Sequence, residues 1–221
     1  MSTLLLRLAA PMQSYGGESK YDIRMIETEP TKSAVVGLLS AALGRSRDAS
    51  IEDLAALRFG VRVDQEGILV RDLHTAKQAK ASYLTVRHYL SDAIFLAGVE
   101  SEDDAFLYKL DEALHHPVFP LFLGRRSCPP SLPLALGVRT CTLEEALKAE
   151  PWLAPAWRQG RLNASLRLVL DANDMSHGRK RDYPVSFSSE CRQMTYRGVQ
   201  NGGYVDKGHD PMAELGGEPC I

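Results

Sequence analysis

The segment from Pro30 to Gly44 constrains the fold most, because its apolar residues recur at the spacing of an α-helix. The residues on its apolar face are Val35, Leu38, Leu39, Ala42 and Leu43. That face must be buried against another element. Thr31 and Ser33 suit the first turn of a helix, whereas Gly44 is a natural stop. The sequence therefore predicts one short helix that packs in the core.

The composition restricts the classes of partner. The 221 residues are 44% hydrophobic, which is enough for one sizeable core or for one core with a small appendage. The 26 Lys and Arg residues nearly balance the 28 Asp and Glu residues, so the formal charge is −2. A generally basic surface for nucleic acid or for an anionic membrane is therefore excluded. An anionic partner would have to be bound by a local patch.

The N-terminus and the cysteines indicate a cytoplasmic protein. The apolar run from Met1 to Leu8 is interrupted by Arg7, no cleavage site follows it, and no other segment approaches a membrane span. The four cysteines are Cys128, Cys141, Cys191 and Cys220. Because they lack CxxC spacing, we expect reduced thiols rather than a disulfide framework or a zinc site. We expect no metal, no other cofactor and no membrane partner.

The chain begins with a strand and a turn. Thr3–Leu8 has the length and composition of a strand. The turn-like segment Ala10–Gly17 follows it directly and is expected to expose Gln13, Ser14 and Tyr15.

Strands and helices then alternate. After the Pro30–Gly44 helix, the predicted elements are a helical patch Ile51–Leu57, a half-buried strand Phe59–Asp64, a turn Gln65–Gly67, a strand Ile68–Leu73, a strand through Ile94–Ala97 and a helix Asp103–His116. If they form a split β-α-β unit, a last strand should follow near Pro133–Thr140. The turn would join its two flanking strands into a hairpin. The helix is expected to bury Ala105, Phe106, Leu110 and Leu114. This series predicts an α+β fold with a ferredoxin-like split β-α-β unit.

The remaining segments depart from this unit. The basic segment between Lys77 and Arg87 is longer than a tight hairpin requires, and such loops are functional or mobile. Farther on come a helix Leu143–Ala149, a strand Ser165–Leu170, a polar insert Asp171–Asp182, a strand Pro184–Tyr196 and a Gly-rich tail. We interpret residues 143–221 as a small C-terminal β appendage with a flexible tail, on a main domain of residues 1–142.

A Gly-Arg-Arg loop is the strongest local signal for chemistry. Gly124 lets the backbone turn freely, and Arg125 and Arg126 then project from the loop. Guanidinium groups placed in this way suit bidentate phosphate contacts or stacking on bases. The alternative is a pair of solvated surface arginines.

A second group combines positive and aromatic side chains. Its members are His74, Lys77, Lys80, Tyr83, Arg87, His88 and Tyr89. Single-stranded RNA is bound by this combination, because charges follow the backbone and rings stack under bases. A histidine, a lysine and a tyrosine could instead form an acid–base set for metal-independent RNA cleavage. The alternative is that each histidine is a polar residue at a strand end.

The start of the Pro30–Gly44 helix is a candidate anion site. Free backbone N–H groups of its first turn lie beside Lys32, so a phosphate could bind there. The simpler interpretation is a core helix with a solvated lysine. Met175–Arg181 is a further basic segment, which either contacts a nucleic-acid backbone or is a disordered loop.

Several separated segments, taken in order, resemble one family. They are Leu5–Gly16, Pro30–Leu39, Arg71–Thr75, Arg87–Ala93 and Leu123–Pro129. They resemble the CasD-type subunits of the type I-E CRISPR surveillance complex Cascade, which form part of the Cas5 family and the RAMP superfamily. The similarity extends to about residue 137. Tyr15 and Lys32 stand where the family more often has tryptophan and arginine, and lysine lacks the planar fork of arginine.

The resemblance implies a non-catalytic RNA-binding subunit that functions in antiviral defence. It implies an RRM-like or RAMP domain that holds the 5′ handle of the CRISPR RNA (crRNA), with an inserted β-hairpin thumb at about residues 76–87. The implied partners are the crRNA, the Cascade backbone subunits, the large PAM-recognising subunit and, through the complex, target DNA. With the residue patterns above, it assigns RNA binding to Gln13, Ser14, Tyr15, Thr31, Lys32, Ser33, His74, Lys77, Lys80, Arg87, His88, Arg125, Arg126 and Ser127.

Two other functions remain open. Related proteins of the I-C subtype mature crRNA as endoribonucleases, and the catalytic set here would be His74, Tyr83 and either Lys77 or Lys80. A structural bridge, whose basic residues contact acidic proteins, is the third possibility. Metal-independent cleavage of a repeat hairpin RNA would identify the nuclease, and crosslinking to handle RNA would separate the RNA-binding subunit from the bridge.

Overall fold

The computed structural model of the chain describes residues 1–16, 23–24, 26–78, 81–160 and 164–207, and it describes the backbone alone for 23–24, 76–78 and 81–82. The strands are β1 (Ser2–Ala9), β2 (Met12–Gln13), β3 (Ile23–Arg24), β4 (Arg58–Gln65), β5 (Ile68–Gln78), β6 (Ala81–Ser91), β7 (Ile94–Ser101), β8 (Ala135–Arg139), β9 (Ser165–Ala172), β10 (Arg179–Ser186) and β11 (Gln193–Asp206). The helices are α1 (Lys32–Ala42), α2 (Glu52–Ala56), α3 (Asp104–His115), α4 (Leu143–Ala149) and α5 (Ala156–Gln159). Within these described residues, no helix has both the length and the apolar character needed to cross a membrane.

Seven strands form one antiparallel sheet in the order β10-β11-β9-β4-β7-β1-β8. In its second half, β4, β7, β1 and β8 are joined through α1, which lies between β1 and β4, and α3, which lies between β7 and β8. This is the predicted split β-α-β series. The last strand expected near Pro133–Thr140 is confirmed by β8.

Strand β1 is buried on both faces because elements cover both sides of the sheet. Leu4, Leu6 and Leu8 pack in the larger core, which also contains the buried residues of α1 and α3. Leu5 packs on the opposite side with Leu143 of α4. The same helix also covers β4, which is buried over nearly its whole length. The prediction that β4 is half-buried was therefore wrong.

Helix α1 lies where the sequence predicts it. The hydroxyl of Thr31 caps its start and accepts a hydrogen bond from the N–H of Ala34 at 3.3 Å. Gly44 follows its end with φ of 74°, a conformation that favours glycine. Its buried apolar residues are Val35, Val36, Leu38, Leu39 and Ala42. Leu43 is only half-buried, because it is already the C-cap of the helix.

Helix α3 is also found where it was predicted. The Asp103 carboxylate caps its start and accepts the N–H of Phe106 at 3.0 Å. The buried residues are Leu107, Leu110 and Leu114. Ala105 is exposed and Phe106 is half-buried, so the predicted inner face was wrong at its start, where the buried stripe begins at Leu107.

Strands β5 and β6 form a long hairpin that belongs to a second sheet. Their register runs from Ile68 opposite Ser91 to Gln78 opposite Ala81. The predicted hairpin of β4 with β5 is wrong, because β4 pairs with β7 and β9 whereas β5 pairs with β6. The loop predicted within residues 77–87 is also wrong, since the described residues of that range are in strands. The short strands β2 and β3 pair with β6 and complete this sheet.

The C-terminal strands extend the main sheet. Strand β9 pairs with β4, with Val61 opposite Val169, so the sheet crosses the predicted boundary at residue 142 without a break. The predicted polar insert and single strand were wrong, since β10 starts at Arg179 and β11 reaches Asp206. A charged sequence can form a strand here because β10 is the edge of the sheet. The predicted flexible tail after residue 207 lies outside the described residues.

Candidate nucleic-acid interface

The loop from Leu123 to Cys128 is docked against the segment that follows β2. The backbone N–H of Ser14 donates to the carbonyl of Leu123 at 3.2 Å, and the N–H of Leu123 donates to the carbonyl of Cys128 at 2.8 Å. Gly124 has φ of 83°. A Cβ at this position would lie 1.8 Å from the carbonyl oxygen of Ser14, so only glycine permits this approach. The glycine turn that was predicted here is confirmed.

The two adjacent arginines of this loop differ in their surroundings. The guanidinium of Arg125 lies over the ring of Tyr89 on β6, with its Cζ 4.6 Å from the ring centroid. Arg126 and Ser127 are exposed. The loop therefore turns one cation towards the hairpin and presents the other, with a hydroxyl, to solvent.

Tyr89 is the residue at which the loop and the hairpin meet, and it is only 6% exposed. Burial alone would raise its pKa. Hydrogen bonds from Arg125, Ser127 and Arg87, together with the charge of Arg125, instead bring the pKa of Tyr89 below its usual value. The sequence placed Tyr89 and Arg125 in separate groups, since no periodicity relates residues so far apart.

The hairpin face that carries Tyr89 is polar at its exposed end. In the register of β5 and β6, Asp72 lies opposite Arg87 and His74 lies opposite Thr85. Alternate residues of a strand share a face, so these four residues lie on the face of Tyr89. His74 Nδ1 is 3.3 Å from a carboxylate oxygen of Asp72. Two predicted RNA-binding residues, His74 and Arg87, thus lie on the hairpin face that the arginine loop contacts.

The opposite hairpin face carries exposed leucines, with Arg71 opposite His88 between them, and it was not anticipated from the sequence. Leu69, Leu73 and Leu84 are 62%, 56% and 61% exposed. His88 also belongs to this face, and its carbonyl accepts a hydrogen bond from the hydroxyl of Ser14 at 3.1 Å. The sequence does contain a signal for this surface, because Leu69 and Leu73 share a strand face. We interpreted that segment as one strand of a hairpin with β4 instead. Exposed leucines gathered on one strand face are typical of a protein-binding surface.

Gln13, Ser14 and Tyr15 are buried, so the prediction that they are exposed was wrong. Gln13 donates to the carbonyl of Ala93 at 2.7 Å, and its side-chain oxygen accepts the Tyr15 hydroxyl at 2.6 Å. Burial, with a smaller contribution from the charge of Cys128, raises the pKa of Tyr15 well above its usual value. These residues are polar because they satisfy one another and nearby carbonyls. They hold the segment that binds the loop through the hydrogen bond from Ser14 to Leu123.

The start of α1 is occupied by carboxylates of the chain itself. The backbone N–H of Lys32 donates to Asp182 at 2.9 Å, and its ammonium pairs with Asp171 at 2.9 Å. Arg197 pairs with the same two carboxylates at 2.7 and 2.5 Å. Thr31, which caps the helix, is buried, and its hydroxyl lies 3.3 Å from that of Ser33. The phosphate contact assigned to this helix start stays a prediction.

A second group of charges holds the same region together. Glu29 pairs with Arg167 at 2.8 Å and also with Lys180. Burial on its own would raise the pKa of Glu29, but hydrogen bonds and charges from these two cations hold it below its usual value. No local sequence pattern indicates this pairing, because the partners lie 138 and 151 residues away along the chain.

The alternative catalytic set is only partly described. His74 lies opposite Thr85, and Tyr83, which is exposed, lies opposite Ala76. The side chain of Lys77 and the whole of Lys80 lie outside the described residues. Among the described residues there is no group of three His, Cys, Asp or Glu side chains that could hold a metal ion. Cys128, Cys141 and Cys191 are free thiols.

Two solved structures of CRISPR proteins share this fold. A chain reported as "Crystal structure of Cas protein" superposes with a TM-score of 0.74 at 41% identity, covering 93% of this chain and 95% of that one. A chain of a "CRISPR RNA-guided surveillance complex" superposes with a TM-score of 0.78 at 28% identity, covering 93% of this chain and 91% of that one. The fold is therefore that of a CRISPR-associated protein.

Sequence comparison narrows this class to a family. The model of the family "CRISPR-associated protein (Cas_Cas5)" matches residues 3–200. The CRISPR system Cascade subunit CasD of Escherichia coli (strain K12) is 37% identical over 171 residues, which are 67% of this chain and 75% of that protein. The chain belongs to the Cas5 family of CRISPR-associated proteins, and the resemblance inferred from its motifs is confirmed.

Proposed function

We propose that the chain is the non-catalytic RNA-binding subunit of a type I-E Cascade. It holds the 5′ handle of the crRNA, caps the backbone of the complex and helps to dock the large PAM-recognising subunit in antiviral defence. Membership of the Cas5 family, the similarity to a Cascade subunit and the similarity to a chain of an RNA-guided surveillance complex support this proposal. The subunit acts in the cytoplasm and meets target DNA only through the complex.

One observation supports RNA binding in this proposal: the loop Leu123–Cys128 contacts the polar hairpin face at Tyr89. We define the handle surface as His74, Arg87, Tyr89, Arg125, Arg126 and Ser127. The guanidinium groups of Arg87 and Arg126 and the hydroxyl of Ser127 can follow a phosphate backbone, as single-stranded RNA requires. A chain with a formal charge of −2 needs such a local concentration of cations to bind RNA.

The hairpin is proposed to be the thumb of a ferredoxin-like RAMP domain. Its polar face would contact the crRNA, and the apolar face with Leu69, Leu73 and Leu84 would contact the neighbouring Cascade backbone subunit. Exposure of these three leucines supports the second contact, since isolated hairpins gain nothing from exposed leucine. The thumb would then span residues 68–91 rather than 76–87.

We assign the predicted residues outside the handle surface to its support. Gln13 and Ser14 are buried, so they would position the loop instead of contacting bases. A phosphate at the start of α1 would have to displace Asp182, which Arg197 also holds. We therefore favour the handle surface over Lys32 as the site that contacts the handle.

The test is RNA binding by the purified full-length chain. An RNA oligonucleotide copying the 5′ end of the crRNA is titrated at several salt concentrations against wild type and the Arg125→Ala, Arg126→Ala double variant. The double variant should bind at least about tenfold more weakly, and the slope of log K against log salt should become less negative by about 0.7 for each phosphate that is no longer bound. The matched control is Arg158→Ala, which removes another partly exposed arginine that lies over an aromatic ring, that of Trp157.

Unchanged affinity and unchanged salt dependence in the double variant would contradict the assigned surface. The same wild-type protein, incubated without metal with a repeat hairpin RNA, should leave the RNA intact. A defined cleavage product that disappears in the Tyr83→Phe variant would replace the proposed function with that of an endoribonuclease.

A further inference from the structure

Arg125 is held in place by contacts within the protein. Its guanidinium lies over Tyr89, and the carbonyl of Arg125 accepts the N–H of Cys128 at 2.9 Å. Among the described residues, Nη1 of Arg125 is buried and has no hydrogen-bond partner. A buried nitrogen of this kind cannot reach RNA in the present geometry. Arg125 is therefore directed inward.

Arg126 has the opposite environment. It is exposed, it follows Arg125 directly, and the loop around it is closed by the hydrogen bond between Leu123 and Cys128. In so short a loop, the direction of one side chain depends on where its neighbour is held. The contact between Arg125 and Tyr89 fixes that neighbour on β6, a regular strand of the hairpin. The position of Arg126 therefore depends on Tyr89.

We propose that Tyr89 and Arg125 are positioning residues, and that they hold the loop so that Arg126 contacts a phosphate of the bound RNA. The inference rests on the proposed function and assigns different roles to the two adjacent arginines. The ring of Tyr89 supports the guanidinium of Arg125, and this contact ties the loop to β6. Preorganisation of this kind lowers the cost of ordering the loop on binding.

A double-mutant cycle tests the inference with the full-length chain and the same RNA oligonucleotide. The variants are Tyr89→Leu, Arg126→Ala and the two combined. Each single variant should bind several-fold more weakly, and its slope of log K against log salt should be less negative by about 0.7. The combined variant should bind about as weakly as Arg126→Ala alone, because Tyr89 acts through Arg126. Effects that multiply in the combined variant would overturn the inference.

Arg125→Lys provides a second measurement that keeps the positive charge. If Arg125 bound phosphate directly, lysine would preserve most of the affinity and the salt slope, since lysine also binds phosphate as a point charge. A positioning role predicts weakening similar to that of Tyr89→Leu, because lysine has no planar group to stack on the ring. Wild-type binding by Arg125→Lys would overturn the inference, and this holds even if Tyr89→Leu fails to fold.

The matched control is Tyr196→Leu, which removes the ring from another arginine–tyrosine pair, in which the Cζ of Arg179 lies 5.0 Å from the ring centroid of Tyr196. It should bind RNA as wild type does. The outcomes separate the two proposals. Wild-type protein that does not bind the oligonucleotide contradicts the proposed function, whereas binding that is weakened by Arg126→Ala with additive or absent effects of Tyr89→Leu contradicts the positioning role alone.

Discussion

At the scale of single residues, Arg62 is notable because its charged side chain is fully buried and needs partners for its charge and its N–H groups. Its guanidinium pairs with Asp64 at 2.6 Å. It also donates to the carbonyls of Leu147, Glu150 and Pro151 at 2.6, 2.7 and 2.8 Å. These carbonyls lie at the end of α4, so one side chain of β4 binds the C-terminal part of the chain to the ferredoxin-like part.

We expect Arg62→Met to lower the free energy of unfolding by about 3–5 kcal/mol, because it leaves Asp64 buried without its cation. Urea denaturation measures this change. The double variant Arg62→Met, Asp64→Leu should recover part of the loss, since apolar residues often replace a buried ion pair at little cost. Recovery stays incomplete because Asp64 also accepts the N–H of Leu153 at 2.7 Å. Wild-type stability in the single variant would contradict this account.

The residues that could be predicted from the sequence are those whose partners are close along the chain. The Thr31 cap and the turn within Leu123–Cys128 depend on backbone groups a few residues away, and both have recognisable patterns, whereas the approach of Gly124 to Ser14 has none. Lys32 pairs with Asp171, which lies 139 residues farther on, and no local pattern reveals this contact. The carboxylates that fill the predicted anion site could for the same reason not be foreseen.

At the scale of elements, Gly67 shows why the hairpin was assigned to the wrong strands. A glycine between two strand-like segments is typical of a tight turn. A Cβ at Gly67 would instead lie 2.8 Å from Cβ of Ala93 and 3.0 Å from Cβ of Leu90, so the glycine permits close packing. The chain passes there from the first sheet to the second. Local sequence indicates the turn but not the sheet to which the next strand belongs.

The apolar face of this hairpin leads to a prediction about assembly. Leu73→Asp with Leu84→Asp should leave the isolated chain folded, because both leucines are exposed. It should strongly reduce incorporation of the chain into Cascade reconstituted with crRNA, since a charged side chain does not pack against an apolar partner surface. Size-exclusion chromatography measures incorporation, and circular dichroism checks the fold.

The control for that experiment is Leu132→Asp, which changes a leucine that is 82% exposed outside the hairpin. It should assemble as wild type does. If the hairpin variant and the control assemble equally well, the apolar face does not contact a Cascade subunit.

At the scale of the whole molecule, the split β-α-β unit could be predicted, but the extent of its sheet could not. Local patterns identified β1, α1, β7 and α3, and β8 was expected because a last strand completes the unit. The pairing of β9 with β4 is not local, so residues after 142 were interpreted as an appendage. In the structure, Leu168 of β9 packs in one cluster with Leu5 of β1 and Leu96 of β7. This shared core favours one cooperative unit.

Leu168→Ala tests that cooperativity in the intact chain. The substitution opens a cavity at a fully buried position and should lower the free energy of unfolding by about 2–5 kcal/mol. If β1 and β9 unfold together, hydrogen exchange should show that the slowest amides of both strands lose protection by the same free energy. Val185→Ala, at an exposed position of β10, should change neither. Protection that falls in β9 while the amides of β1 keep theirs would mean that the C-terminal strands open as a separate unit, as the predicted division at residue 142 requires.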